Sequence, residues 1–257
     1  MEVILIFFVA HWYLSLFFQT FFLHRYASHK SFTMSKGWEK VFFVLTWFFQ
    51  GSNYLSPYGY GIMHRMHHAY ADTPNDPHSP KYDESIWKMM WKTKTIYSDI
   101  TSKKVTIDSR FTKDVPEWPA FDKFARSWFS RLLWAGVYVS VYAIFATHWW
   151  LWLLLPVQFL LSPIHGAIIN WFAHKYGYTN YKVGDTSKNF LPFDFLMMGE
   201  SYHNNHHKHG SRANFGGVRW HEIDPTYIAI KIFDKVGIVK IVKPKEIELT
   251  EAKKVAA

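Results

Sequence analysis

Residues 64–80 read HRMHHAYADTPNDPHSP, and residues 203–207 read HNNHH. Both contain HxxHH, in which positions i, i+3 and i+4 project from one face of an α-helix, so each copy can aim three imidazoles at a common volume. With 15 His in 257 residues, chance supplies about 0.05 copies of this pattern, so two copies are a signal. HRYASH at residues 24–29 adds His24 and His29. The eight imidazoles of His24, His29, His64, His67, His68, His203, His206 and His207 are about twice what one zinc or mononuclear iron site needs, which points to two metals. His24 and His29 stand five apart, about 140° around an α-helix, and this predicts that they serve different metals.

If one site uses all three clusters, they must lie on the same side of any membrane the chain crosses. Two blocks carry no Lys, Arg, Asp or Glu: residues 3–24 and residues 132–174. A hydrocarbon core takes about 20 helical residues, so the first block fits one span and the second a hairpin of two. The expected crossings are residues 3–24, 130–147 and 150–176, with the hairpin turn near Thr147 to Trp150 and an aromatic belt at Trp149, Trp150 and Trp152. Residues 39–62 are apolar at first, but if they crossed, His64 and His24 would face opposite sides. They are therefore expected to lie along the interface or to dip in and return. With that topology all 29 Lys and Arg fall on one side: 15 between Arg25 and Arg126, Arg131 at the boundary, and 13 from Lys175 onward. The side rich in basic residues should be cytoplasmic, with the N-terminus outside and residues 1–23 retained rather than cleaved as a signal peptide.

The expected fold is thus an all-α integral membrane bundle forming one domain over residues 1–257. About three transmembrane helices and one interfacial or re-entrant helix carry a cytosolic helical cap, residues 63–127 and 177–245, followed by a solvated tail, residues 246–257. Composition agrees, because 49% hydrophobic and 20% aromatic residues exceed what a soluble core of this size uses, while the basic residues crowd the remaining segments. Residues 85–97 suit an amphipathic helix at the headgroups or on the cap, with Ile86, Trp87, Met90 and Trp91 grouped beside Lys88, Lys92 and Lys94.

The last span, taken as one helix over residues 151–176, would be about 39 Å long and outgrow a core of about 30 Å. Asn170 and His174 lie in its projecting turns, four apart on one face. His174 is added as a ligand, and Asn170 as a weaker one acting through water. His165 falls near the opposite face and reads as a membrane-buried hydrogen-bonding residue. His11 and His148 sit toward the far side, and His209 and His221 read as cytosolic groups. His78 either orients a ligand through Asp76 or a neighbour, or belongs to a turn.

Zero Cys excludes disulfides, iron–sulfur ligation and thiol nucleophiles. Neither HExxH nor GxSxG occurs, so metal-assisted or serine hydrolysis has no motif to support it. Iron with open positions can bind and reduce O2, whereas zinc has no redox chemistry. A His-rich, Cys-free site of two metals at a membrane surface therefore favours oxidative chemistry on a hydrophobic substrate.

HRYASHKSF at residues 24–32, HRMHHAYADTPNDPHSP at 64–80, NWFAH at 170–174, GESYHNNHH at 199–207 and WHEIDPTY at 220–227 resemble, in family order, the membrane fatty acyl desaturases of the stearoyl-CoA, Δ9-type branch. The resemblance implies metal ligands at His24, His29, His64, His67, His68, His174, His203, His206 and His207, with Asn170 holding iron through water. It implies two non-haem iron ions, O2 as co-substrate, and removal of two hydrogens from adjacent methylenes of a chain positioned by a bent tunnel. Acyl-CoA is the expected substrate, with acyl-lipid as the other possibility. Electrons must come from a separate b-type cytochrome or a ferredoxin with its reductase, because the chain has neither a dinucleotide fingerprint nor a Cys cluster. The other partner is the bilayer, of the bacterial inner membrane or the endoplasmic reticulum, and no nucleic acid is expected. Three features depart from the branch: one span instead of two before His24, Ser201-Tyr202 before His203, and Gly166 where a polar residue is common. The competing readings are a di-iron membrane hydroxylase or ketolase, and a His-rich metal-binding membrane protein without catalysis.

Overall fold

The structure, a computed structural model, describes residues 1–242, so the expected tail and the last residues of the expected cap lie outside the described residues. Among the described residues the regular structure is mostly helical, with one short β-ribbon. Helix α1, Glu2–Phe18, runs without a break into π-helical turns, Gln19–Ser28, forming one 27-residue rod long and apolar enough to cross a membrane. The expected all-α class holds, with one small addition: β1, Phe32–Met34, pairs antiparallel with β2, Val239–Ile241, placing Thr33 opposite Lys240. It closes over a core of stacked rings, in which Phe21, Phe22, Phe32 and Phe42 are buried with Ile230 and Val239.

Helix α2, Lys36–Gln50, starts at Ser35, whose hydroxyl accepts from the Trp38 amide. Phe42, Phe43, Thr46 and Gln50 face inward against α1, yet the opposite face shows Trp38, Val41, Val44 and Phe48. A helix apolar on both faces cannot rest in water on its outer side without cost, which suits contact with lipid. It ends at Gly51 (φ 56°), where a Cβ would strike the Tyr138 hydroxyl, so only glycine permits this close approach. A single 3-10 turn, Gly51–Asn53, then reverses the chain into α3, Pro57–Tyr70, capped by Ser56 and started by Pro57. Residues 39–62 are thus two helices with a tight turn, and they do not form a span of the kind seen in α1.

Helix α4, Ile86–Thr101, is capped by Ser85 and leaves Trp87 and Trp91 exposed. Two short helices, α5 (Ser109–Thr112) and α6 (Pro119–Ala125), lead to α7, Trp128–Phe145, the second helix apolar and long enough to cross. Its buried residues are Ser130, Tyr138 and Tyr142, whereas Phe129, Leu132, Leu133 and Ile144 face outward. Polar inward and apolar outward is the arrangement for a hydrocarbon solvent.

The return arm differs from the single helix expected over residues 150–176. It consists of a 3-10 stretch, Trp149–Leu153, α8 (Leu154–Gln158), α9 (Leu161–Ala167) and π-helical turns, Ile168–Phe172, and its two halves are bent by 68°. Pro163 gives the reason: it offers no N–H and its ring would clash with the carbonyl four residues back, at Phe159, so the helix stops there and restarts. The arm counts as a third span only if the bent pair crosses as one. The last two helices among the described residues are α10, His203–Lys208, and α11, Pro225–Lys235, which is capped by the Asp224 side chain accepting from the Tyr227 amide at 3.0 Å.

Candidate metal centre

Nine imidazoles from four parts of the chain converge into two adjoining pockets. His24, His29, His64, His68 and His206 form the first, and His67, His174, His203 and His207 the second. Each HxxHH is divided between them, a partition that the spacing had left open. On α3 the i and i+4 residues, His64 and His68, enter the five-imidazole pocket while His67 turns to the other. On α10 the assignment is reversed: His203 and His207 enter the four-imidazole pocket and His206 the first. Residues at i+3 and i+4 lie on either side of the helix's facing line. Two helices facing one another can therefore supply two ions at once.

His24 and His29 occupy the same pocket, with ring centroids 5.1 Å apart, contrary to the separation expected for an α-helix. The cause is the backbone. The His29 amide donates to the His24 carbonyl at 3.2 Å, an i→i+5 bond, and the wider turn leaves residue i+5 much closer in azimuth to residue i than an α-helix does. Ten residues of π-helix thus convert a spacing of five into one face.

The ring nitrogens fit a metal. His64 Nε2 lies 2.8 Å from His29 Nε2 and 3.0 Å from His68 Nε2, which is 2.9 Å from His206 Nε2; His206 Nε2 is 3.0 Å from His24 Nε2. In the second pocket His67 Nε2 and His207 Nε2 are 3.2 Å apart, and His174 Nε2 and His203 Nε2 3.1 Å. Two nitrogens at right angles about one ion, each at about 2.1 Å, would be separated by about 3.0 Å. Hydrogen bonding among the rings cannot account for all of these contacts, because a neutral imidazole has one N–H and several of these protons are already committed at Nδ1.

His24 Nδ1 donates to Glu200 Oε2 at 2.6 Å, His67 Nδ1 to Asp76 at 2.9 Å and His207 Nδ1 to Asp185 Oδ2 at 2.8 Å. His174 Nδ1 meets Thr186 Oγ1 at 3.2 Å. A carboxylate accepts only, so each of the first three rings carries its proton at Nδ1 and turns the Nε2 lone pair inward. Burial, reinforced by neighbouring imidazoles, holds His29, His64, His68, His203, His206 and His207 well below the ordinary imidazole value and brings His174 down to about 4. All seven are neutral at pH 7, the state a metal requires.

The carboxylates are themselves secured. Glu200 bonds Thr20 and, at 3.0 Å, Arg25 Nη1; Arg25 Nη2 donates to Asp224 Oδ2 at 2.8 Å, and its Nε donates to the Ala213 carbonyl at 2.9 Å. Arg25 is fully buried, with its guanidinium 3.7 Å from the Phe215 ring centroid. Burial alone would raise Glu200, but His24, Arg25 and Thr20 keep it below the ordinary carboxylate value. Gly199 (φ 98°) has no room for a side chain, since a Cβ would collide with the Asp224 carboxylate.

A model of the fatty acid desaturase family matches residues 2–236. Among characterised proteins, the chain is 30% identical over 226 residues to the sn-1 stearoyl-lipid 9-desaturase of Anabaena variabilis, covering 86% of this chain and 76% of that protein. It is 30% identical over 223 residues to the sn-1 stearoyl-lipid 9-desaturase of Synechocystis sp., covering 86% and 65%, and 29% identical over 240 residues to the Delta-9 desaturase-like 4 protein of Arabidopsis thaliana, covering 89% and 73%. The chain belongs to the fatty acid desaturase family. It is an oxidoreductase acting on a fatty acyl substrate in a membrane setting, as the motifs led one to expect.

This desaturase has a cavity of about 450 Å³ that reaches the imidazoles of His24, His64 and His203. Leu16, Met63, Ile169 and Met197 supply apolar wall, Asn170 lines it half-buried, and Trp87, Trp91, Lys94 and Arg131 line it too. Asn170 is thus brought to the cavity shared with His203, beside the pockets. His78 also lines it, with its ring 4.3 Å from that of His67, and neither of its ring nitrogens has a hydrogen-bond partner. Asp76 accepts from the His78 backbone amide but takes the His67 ring, so the carboxylate expected to serve His78 orients His67. His165 is buried as expected, yet neither of its ring nitrogens finds a hydrogen bond.

Reading by residue type missed Glu200, Arg25 and Asp185 as supports of the imidazoles, and it paired Asp76 with His78 where the structure pairs it with His67. Glu200 and Asp76 stood inside quoted motifs, so their proximity to His203 and His67 was a usable signal. Asp185 lies in an irregular loop and had none. Glu222, in WHEIDPTY, accepts from Asn205 Nδ2 at 3.0 Å and from the Val218 amide at 2.9 Å, which fixes α10 from behind.

Proposed function

We propose that this desaturase introduces a cis double bond at the Δ9 position of a saturated acyl chain, with one iron ion in each imidazole pocket. The observation that carries the reading is the division of nine imidazoles into two adjoining sets at a largely apolar cavity. The ligands are His24, His29, His64, His68 and His206 for one ion, and His67, His174, His203 and His207 for the other, with Asn170 contributing through water.

Iron, when bound, supplies the reduction of O2. In the overall balance two hydrogens leave adjacent methylenes, and O2 takes them up with two electrons and two protons to form two waters. The electrons come from a separate carrier, a b-type cytochrome or a ferredoxin with its reductase. Glu200, Asp76 and Asp185 hold the Nδ1 protons of His24, His67 and His207, so those rings keep one tautomer and one orientation through the cycle. Leu16, Met63, Ile169 and Met197 exclude water and hold the chain's methylenes against the pockets.

The acyl carrier is assigned as a membrane lipid. Two relatives at 30% identity are stearoyl-lipid desaturases, and exposed Trp87 and Trp91 beside Lys94 suit a mouth at the headgroups. Acyl-CoA is the second reading, favoured by the cationic Lys94 and Arg131 at the cavity. The topology that goes with this reading has residues 39–62 at the interface, the bent return arm crossing as one span, and the pockets open to the cytoplasm.

Expression in a desaturase-deficient host, with fatty acids analysed by mass spectrometry, should yield a 9-monoene. A product heavier by one oxygen, with no loss of two hydrogens, would instead establish a hydroxylase. Supplying labelled stearoyl-CoA or labelled stearoyl-lipid vesicles to membranes with reductant then separates the two carriers.

A further inference from the structure

The cavity wall supplied by α9 is not apolar throughout. Ser162 Oγ and both ring nitrogens of His165 belong to residues lining the cavity, and all three atoms are buried without a hydrogen-bond partner. Ser162 and His165 are 2% and 0% exposed. Trp12 packs edge-on against His165, ring centroids 4.5 Å apart and planes at 89°, so an N–H···π contact can account for one ring nitrogen at most. A neutral imidazole has one donor and one acceptor, which leaves the other unpaired. A buried polar atom without a partner forfeits its hydration, and a cavity made only for methylenes would have Leu or Phe at these positions.

Their place along the fold is defined by two helices. His165 precedes His174 by nine residues, and it touches Trp12, which precedes His24 by twelve, or roughly three turns of helix. Both place it on the far side of the cavity from the imidazoles, inside the segments read as spanning. A chain entering at Trp87 and Trp91 with its polar end at the mouth brings its methyl-side half to Ser162 and His165.

We propose that Ser162 and His165, three apart on α9, form a subsite for an oxygen function on the acyl chain, a hydroxyl on the methyl side of the reacting carbons. A hydroxyl offers one donor and acceptor lone pairs together. It can donate to the free His165 nitrogen while accepting from Ser162, whereas a plain saturated chain leaves both side chains unpaired. The inference rests on the cavity being the acyl site of the desaturase reading above.

The test uses the full chain in a desaturase-deficient host fed octadecanoic acid and a series of octadecanoic acids hydroxylated at successive carbons of the methyl-side half. Product-to-substrate ratios are compared for the chains recovered in host lipids. One or two positional isomers should be desaturated at least ten-fold better than their neighbours. His165→Leu combined with Ser162→Ala should lower turnover of those isomers at least ten-fold relative to the plain chain, and His165→Asn should restore part of the preference. The purified double variant should melt no lower than the parent, because apolar replacements remove unpaired polar atoms; a purely structural role for the pair predicts a lower melting temperature. Equal handling of all isomers, or an equal loss on plain and hydroxylated chains, would overturn the subsite and leave it as a place for ordered water only. Absence of monoene from the plain chain would instead overturn the desaturase reading itself.

Discussion

The five-imidazole and four-imidazole pockets are built from the same two helical motifs used in opposite proportion, yet their surroundings differ. In the first, Glu200 supports His24 and is itself neutralised by buried Arg25, so the carboxylate beyond the ring is part of a chain of charges running to Asp224. In the second, Asp76 and Asp185 support His67 and His207 with no buried Arg bonded to them among the described residues, and Asn170 lines the cavity beside a set one imidazole smaller. One pocket is filled by imidazole and tied to the packing of the cap. The other carries more uncompensated carboxylate and leaves room for a neutral ligand. The buried Arg25 network adds structural cohesion at the first pocket, while the cavity reaches both pockets, through His24 and His64 on one side and His203 on the other.

Removing an imidazole is the most severe way to break this comparison. His68 Nε2 touches both His64 and His206, so His68→Ala should empty the five-imidazole pocket, lower iron from two to about one per chain, and cut monoene yield by more than about 100-fold, beyond the range expected for outer-sphere changes. Iron analysis beside mass spectrometry checks it; two retained irons would show that the five rings do not form one site.

Outer carboxylates come next. Glu200→Gln and Asp76→Asn should each weaken iron binding by about 10- to 100-fold. Only the first should also destabilise the fold strongly, by about 3 kcal/mol, because it removes a partner of fully buried Arg25. Denaturation of the metal-free variants separates the two effects, and equal destabilisation would remove the contrast between the pockets.

Asn170→Ala should have a smaller effect, keeping two irons while lowering turnover by about 10-fold or less, because a ligand acting through water is one of several contacts. Loss of one iron would make Asn170 a direct part of the four-imidazole set.

The mildest test is titration of the metal-free protein. The pocket imidazoles are held below their ordinary value by burial, His174 to about 4. The unfolded chain therefore binds protons near pH 6.5 while the folded chain does not, so stability is present above that pH and declines as pH falls toward 4. The melting temperature should fall over that window and be restored by ferrous iron. A rise on acidification would mean that the rings are already protonated in the fold.

Much of this was legible in residue type and spacing. The absence of charge over residues 3–24 and 132–174 located the apolar helices, and HxxHH twice over located the metal chemistry. The expected convergence of His24 and His64 is seen in the structure, where their rings lie 4.2 Å apart. The partition of the ligands was not legible, because assigning them by α-helical angle fails wherever the backbone is not α-helical. The His24–His29 pair is the clear instance, joined by π-helical turns that no local residue preference announces. The bend at Pro163 had a signal in the proline itself, which the length of the apolar run obscured.

The sequence by itself determined which residues can bind metal, which segments are apolar enough to enter lipid, and which family the chain resembles, since these depend on side-chain chemistry and short periodicities. Only the tertiary structure decided which imidazoles share a pocket, which carboxylates fix their tautomers, and that Ser162 and His165 face a cavity with nothing to bond. Those outcomes depend on the approach of helices separated by more than a hundred residues, as Glu200 is from His24 and His207 from His67, and on a backbone whose hydrogen-bond register shifts by one residue.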